Sequence, residues 1–365
     1  MQRDMLRTAN ELTNRGHQVE VFTLSWQGDL PANIKVHALP QSGLFNFQRY
    51  QKFIEATFAL INAGQFDYVF GYNRMAGLDA HFAADPCFIE RAHKQRNWLY
   101  RLTPRYRWFA ACEKAIFSED SNTQVLAVSL TERPHFQYWY GTQSDRFHYI
   151  PPFLSRERFV LHDKQEMRAH LRNAFGFAKD DFVFMLTGSG FAMKGLDRAI
   201  LAMAALPKDL LKNTRLIAVG QDNPKHFSHM AKKMGLSEQV VISKGRSDIP
   251  QLMQGADVCT HPAYRENTGL VILEGMACGA PMLVTESCGY AHHVTEANAG
   301  LVSTMPFDQQ QFNQQWLQLR NATQAQLQAW SSNGLAYAQK IMQANDGSAE
   351  AEILIALAQK KRAKT

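Results

Sequence analysis

At 365 residues the chain exceeds one ordinary hydrophobic core and suits two α/β domains. Apolar residues make up 45% and the mean hydropathy is −0.31, as in a soluble globular protein, and no apolar run approaches the roughly 18 residues of a membrane span. A net charge of +6 points to an anionic partner, a nucleic acid or a membrane surface, while five scattered cysteines without a Cys-x-x-Cys pair argue against a disulfide frame or zinc site and for a reducing cytosol.

Met1 to Gly16 reads as an amphipathic helix with Met5, Leu6, Ala9 and Leu12 on one face and Gly16 closing it. Val19 to Leu24 and Ile34 to Pro40 read as strands, Phe47 to Ala63 as a helix, and Tyr68 to Tyr72 as a strand running into the loop Asn73 to Gly77. This alternation implies a parallel sheet with right-handed crossovers, and ligands then bind beyond the carboxyl ends of the strands. Asp85 lies at such an end, after the strand Phe82 to Ala84, although a lone Asp before Pro86 also serves as a turn residue.

Residues 91–112 contain no acid. Arg91, Lys94, Arg96, Arg101, Arg105 and Arg107 alternate there with Trp98, Tyr100, Tyr106, Trp108 and Phe109. Cations beside amphipathic aromatics suit an anionic bilayer surface, where each basic residue contributes about 1 kcal/mol. The same mixture suits single-stranded nucleic acid. A helix with inward aromatics and solvated arginines is compatible with either.

Thr123 to Ser129 reads as a strand and Thr131 to Tyr140 as a helix, and Ile150-Pro151-Pro152 marks a domain boundary. We therefore expect domains at 1–152 and 153–330, with helices over 331–365 returning to the first. The second domain opens with a helix over 163–174. Strand Phe182 to Leu186 then runs into Thr187-Gly188-Ser189-Gly190-Phe191-Ala192-Met193-Lys194-Gly195 and a helix over 196–205. Such glycines let the backbone approach phosphate, and Lys194 at the helix start can neutralise a diphosphate. Taken singly, a Gly-x-Gly loop is weak. Strands at Leu216 to Val219 and at Val240-Val241 follow, the latter leading to Gly245-Arg246.

The most informative stretch runs from His261 to Pro281 and reads as strand end, loop and helix, opened by Gly269 and closed by Gly279. The amides of Gly269, Leu270 and Val271 lack intrahelical partners and point out as donors, with Glu266 and Glu274 bracketing the turn. Donor amides suit phosphate, whereas carboxylates repel it and suit hydroxyl groups, so a ligand that is part diphosphate and part sugar satisfies both. On spacing alone, a capping Glu266 and a solvated Glu274 is the commoner use of such acids. After the strand Met282 to Thr285, His292 and His293 read as a surface pair without a third metal ligand. There is no Asp-x-Asp, and from Phe312 the chain reads as helical and Gln-rich.

Glu266-x7-Glu274 within His-Pro-Ala-Tyr-x-Glu-x-x-Gly-Leu-Val-x-Leu-Glu-x-Met-x-x-Gly-x-Pro resembles the signature of the retaining GT-B glycosyltransferases of family 4. Cys288-Gly289-Tyr290-Ala291-His292, Gly71 to Asp79 and Phe82 to Asp85 draw the resemblance toward the enzymes that add the first glucose to the inner-core heptose of lipopolysaccharide from UDP-glucose. It spans nearly the whole chain. It implies a GT-B fold, two doubly wound Rossmann-like domains facing a cleft. Lys194 and the helix amides would stabilise the leaving diphosphate, Glu266 would hold sugar hydroxyls and Glu274 the ribose. Arg158 would face the donor, Gly245 and Arg246 would seat the base, and Asn267, Thr268, Gly269, Leu270 and Val271 would line the site. Asp85 would act as base or orienting group toward the acceptor.

The resemblance further implies a metal-free enzyme with UDP-glucose as donor substrate and no other cofactor, acting on the lipopolysaccharide core. Its setting would be the cytoplasmic surface of the anionic inner membrane, contacted through Arg101, Arg105, Tyr106, Arg107 and Trp108, with no nucleic acid involved. Two departures stand out. The family's loop ends Gly-Gly-x-Gln-Arg-Asp where this chain opens Met1-Gln2-Arg3-Asp4, so the first strand and glycine pair are expected to be missing. The family also offers Arg-Lys where this chain has Met193-Lys194. Alternatives are a family-4 transferase with another sugar or lipid acceptor, and an inactive membrane-surface homologue.

Overall fold

The computed structural model describes residues 2–26, 28–39, 42–43, 45–64 and 66–363, Gln2 by its main chain alone. Met1, on which the reading of the opening motif rests, lies outside them. The chain forms two compact units, one of Met1–Pro151 with Gly347–Thr365 and one of Pro152–Asp346. The helix Gln324–Ala344 therefore sits in the second unit, although its residues from 331 onward were expected with the first. Only the segment holding the helix Ala349–Arg362 returns to the first unit.

The first unit opens with the helix Gln2–Asn14 and carries two separate parallel sheets. One pairs β1 (Glu20–Thr23) with β2 (Lys35–Ala38); the other runs β3 (Phe70–Gly71), β4 (Ala80–Ala83), β5 (Gln124–Ala127), β6 (Phe147–Tyr149) in that order. The basic-aromatic segment is mostly helical. Phe88–Gln95 is followed by a 3-10 turn at Trp98–Leu102 and by the helix Pro104–Phe117. Thr103 and Pro104 start that last helix, since the Thr103 hydroxyl accepts from the Tyr106 amide at 3.2 Å and proline has no amide to leave unpaired. Phe117 and Phe136 stack at 3.7 Å in the core beneath.

The closing helix returns Leu354 and Leu357 to an apolar cluster with Ala80, Phe82, Leu126 and Ile150. It also buries Glu350, whose carboxylate accepts from the Tyr72 hydroxyl, with Arg7 at 3.7 Å. Burial outweighs these partners and lifts the carboxyl to about 7.

The second unit is one six-stranded parallel sheet: β7 (Phe182–Thr187), β8 (Thr214–Val219), β9 (Val240–Ser243), β10 (Val258–His261), β11 (Met282–Thr285) and β12 (Gly300–Ser303). Their spatial order is β12-β11-β10-β7-β8-β9, the doubly wound arrangement, which reverses direction between β7 and β10. Side chains alternate between the faces. Val183, Met185, Ile217 and Val219 join one core cluster, while Phe184, Leu186, Leu216 and Ala218 join the other. Helices cover both faces, and Trp316 stacks on Phe184 at 3.9 Å.

Two outcomes follow from buried contacts. Gly195 has φ +74, and a Cβ there would stand 2.0 Å from the Pro262 carbonyl, so Gly195→Ala is expected to lower unfolding free energy by about 2 kcal/mol or more in urea melts. For Glu350, a folded-state value of about 7 lies above the ordinary 4.5, so the folded chain holds a proton in that window that the unfolded chain has lost. Its contribution to stability is complete below 4.5 and disappears as pH rises through 7. Urea midpoints measured across this range should fall with rising pH in the wild type, with a flatter profile in Glu350→Gln.

Candidate active site

The crevice of a doubly wound sheet opens where the strand order reverses, because the loops leaving the two central strands turn to opposite faces. Here those loops are 188–195 after β7 and 262–269 after β10. Left-handed backbone at Gly188, Gly190 and Gly195 folds the first loop back on itself, and the Gly190 amide donates to Asp222 at 2.6 Å. The Tyr264 amide donates to the Met193 carbonyl at 2.9 Å and ties the two loops together. Arg198 clamps the second loop by donating to the carbonyls of Pro262 and Ala263, both at 3.1 Å. Its guanidinium is sandwiched between the rings of Tyr264 at 3.6 Å and Phe307 at 3.7 Å.

This scaffold brings Lys194 against Glu266 in a direct ion pair. Neither of the alternatives read from spacing holds for the acids. The helix Leu270–Ala277 is capped by Gly269 at φ +80 with no side-chain bond, so Glu266 is not its cap. The side chain of Glu274 is only 14% exposed and meets Arg158 at 3.1 Å, so it is not a solvated acid. Each acid is thus matched to one of the cations expected to face the donor, Glu266 to Lys194 and Glu274 to Arg158.

The electrostatics of Glu266 are set by its surroundings. Burial alone would raise its carboxyl, but the His261 ring and the Lys194 ammonium prevail and hold it at about 2. His261 Nε2 stands 3.6 Å from the carboxylate, too far for a hydrogen bond, so its influence is electrostatic. Burial pushes the His261 imidazole below its usual value. The Glu266 main chain is equally fixed. Its amide donates to Ser287 at 3.2 Å, its carbonyl accepts from Gly289 at 3.0 Å, and the Tyr290 amide donates to Thr268 at 2.7 Å. Ser287 and Thr285 hydroxyls both donate to the Ala263 carbonyl, at 2.6 and 2.8 Å. Asn267 is buried within this loop, and Leu270 and Val271 begin the helix whose first amides face the loop.

Other predicted residues have different surroundings. Gly245 lies against Gln221, whose amide would be 2.2 Å from a Cβ. Arg246 is held by both oxygens of Asp248 at 2.7 Å and lies over Phe175. Met193, where a second loop cation was expected, is half exposed. In the first unit, exposed Asp85 sits on the loop after β4, and Arg74 donates to the carbonyls of Asp85 and Pro86 at 2.9 Å each. Beneath them a fully buried Glu113 pairs with Arg74 and accepts from the amides of Phe88 at 2.7 Å and Ile89 at 3.0 Å.

Tyr106 and Trp108 of the expected membrane contacts are half-buried, Tyr106 against Phe88 and Trp108 against Phe109. Arg105 and Arg107 are exposed and Arg101 half-buried. The exposed apolar side chains lie just upstream, at Trp98, Leu99 and Leu102. Sequence reasoning also missed Arg198 and Glu113; a lone charge among apolar residues was the available signal.

Comparison with known proteins agrees with this geometry. Residues 1–158 match the family described as Glycosyltransferase Family 4, and residues 167–335 that described as Glycosyl transferases group 1. The lipopolysaccharide glucosyltransferase WaaG of Escherichia coli K12 is 38% identical over 340 residues, which cover 93% of this chain and 90% of that one. The crystal structure of WaaG, a glycosyltransferase involved in lipopolysaccharide biosynthesis, superposes with a TM-score of 0.88 and 35% identity, over 97% of this chain and 95% of that one. A sucrose-phosphate synthase of Thermosynechococcus elongatus shares the fold at a TM-score of 0.76 and 18% identity, over 99% and 93% of the two chains. A site at the strand-order reversal of the second unit and two matching domains have one reading: the chain belongs to the two-domain GT-B glycosyltransferases built of a Family 4 and a group 1 domain.

Proposed function

We propose that this chain is a retaining glucosyltransferase that moves glucose from UDP-glucose to the heptose of the lipopolysaccharide inner core. The observation that carries the reading is the pairing of Lys194 with Glu266, on the loop before the helix Leu270–Ala277, and of Arg158 with Glu274 within that helix. The likeness to WaaG along nearly the whole chain supports the choice of donor and acceptor.

In this reading the donor diphosphate displaces the carboxylates from the two cations. Lys194 and the first helix amides then lie where charge develops as the bond from C1 to the phosphate oxygen breaks. Glu266, released, accepts hydrogen bonds from sugar hydroxyls, and Glu274 does the same for the ribose. The acceptor oxygen bonds to C1 on the face the nucleotide leaves, and its proton passes to the departing phosphate. Asp85 orients the acceptor hydroxyl. No metal takes part, since charge neutralisation falls to Lys194, Arg158 and the helix amides.

We place the enzyme peripherally on the cytoplasmic surface of the inner membrane. No described helix is long and apolar enough to cross a membrane. Trp98, Leu99 and Leu102 are 66%, 52% and 55% exposed beside Arg96, Arg105 and Arg107, an apolar edge ringed by cations.

The direct test is UDP release from UDP-glucose with heptose-terminated core lipopolysaccharide as acceptor. Glu266→Gln should lower kcat at least about a hundredfold while tightening UDP binding, because Lys194 loses its internal partner. An unchanged rate in this variant would count against the assignment. Replacing Trp98, Leu99 and Leu102 together by Ser should weaken partition onto vesicles rich in anionic lipid by about tenfold or more. Core oligosaccharide free of lipid should still be glucosylated at the wild-type rate by that variant, which separates membrane binding from chemistry.

A further inference from the structure

Among the described residues three histidines are buried: His81, His261 and His293. His293 is therefore not the surface residue its sequence setting suggested. His81 anchors Nδ1 on the Gly71 carbonyl at 3.0 Å, and His293 Nδ1 meets the Tyr337 hydroxyl at 2.8 Å. His261 differs. It is 1% exposed, and neither of its ring nitrogens has a hydrogen-bond partner among the described residues. It ends β10, an interior strand between β7 and β11. Strand side chains alternate, so His261 shares the face of Cys259, which packs in one apolar cluster with Ala263, Ile272 and Cys288. A leucine of similar size would fill that place without stranding two polar atoms, so the imidazole is kept there at a cost in stability. Burial lowers its pKa, and the ring is neutral at pH 7.

The polar group facing this ring is the Glu266 carboxylate, with Oε2 3.6 Å from His261 Nε2. An ionised carboxylate can only accept, so the neutral ring carries its proton on Nε2. The same Oε2 is the atom that the Lys194 ammonium meets. One oxygen thus stands before two donors. The ammonium touches it, while the imidazole lies roughly half an ångström beyond hydrogen-bond range. When an anionic ligand takes Lys194, Glu266 loses its partner in a half-buried position that disfavours a bare charge.

We propose that His261 is a positioning residue for Glu266: once the donor diphosphate draws Lys194 away, His261 Nε2–H closes on Oε2 and holds it, leaving Oε1 to the sugar hydroxyls. The inference rests on the function proposed above. The Glu266 main chain is fixed at Ser287 and Gly289, so the movement is a rotation of its side chain alone. No proton changes owner. The imidazole stays neutral, the carboxylate stays ionised, and one hydrogen bond replaces the ion pair that the ligand has broken.

The test is a double-mutant cycle on the full chain. His261→Leu removes the donor at similar volume, whereas His261→Gln keeps an N–H near the place of Nε2. His261→Leu should lower kcat for glucose transfer about tenfold or more, with a thermal midpoint equal to or above that of the wild type. His261→Gln should recover most of the lost rate. In the Glu266→Gln background His261→Leu should bring no further loss, since it acts through that carboxylate. A wild-type rate in His261→Leu, equal losses in the Leu and Gln variants, or additive losses in the double variant would overturn the proposal. A second measurement needs no turnover. With 15N-labelled histidine, UDP alone should move downfield one Nε2–H signal that is missing from His261→Gln; a chain that binds UDP with this signal unmoved refutes the role. Movement of the signal in a chain that transfers no glucose would refute the substrate assignment and support the positioning role.

Discussion

Lys194 and Glu266 meet because the sheet of the second unit reverses its order between β7 and β10, and the loops after those strands are the ones that carry them. An ion pair in a half-buried position gains Coulomb energy but loses hydration, and the two nearly cancel. Removing one partner alone is what costs most, because a charge is then stranded away from water. The pair therefore ties the two loops together without making them hard to part. A ligand that offers its own anion to Lys194 and its own hydroxyl donors to Glu266 replaces each lost contact with an equivalent one. Under the proposed function, a ligand offering only one of the two leaves the other charge unmatched, and the pairing then favours a ligand that carries both.

The first unit solves a different problem with a similar device. Asp85 is exposed on a short loop, and its main chain would wander without support. Arg74 and Glu113 supply that support from beneath, with Glu113 fully buried yet met by the amides of Phe88 and Ile89, the Tyr140 hydroxyl at 2.8 Å and the Arg74 guanidinium. With the Cys87 thiol at 3.8 Å as well, five donors on one carboxylate make its burial tolerable.

Sequence reading reached the doubly wound second unit through its strand–glycine–helix punctuation, which is local and chemically strict. Gly195 and Gly269 each need left-handed backbone, and both were legible as helix starts. The loop 188–195 and the turn at Glu266 could be paired only by resemblance, since their contact is set by the register of β7 against β10. Spacing alone favoured a cap and a solvated acid for Glu266 and Glu274. The structure places an arginine and a lysine from distant segments against them, and no periodicity encodes that. The strand β12 escaped notice because it is short and starts at Gly300, where a Cβ would meet the Met282 carbonyl at 2.0 Å. Exposure of Trp98, Leu99 and Leu102, with Trp108 turned partly inward, likewise depends on how the helix Pro104–Phe117 packs.

The turn Cys288–Tyr290 links the start of the helix Ala291–Ala297 to Glu266. The Gly289 amide donates to the Glu266 carbonyl, and the Gly289 carbonyl accepts from His292 Nδ1. The His292 ring therefore braces the turn on which the Glu266 main chain rests. Cys288, paired across a parallel bridge with Glu266 and buried at 2% exposure, holds the turn from its other end. The Glu266 side chain thus meets Lys194 from a main chain fixed on both sides, by Ser287 and by Gly289.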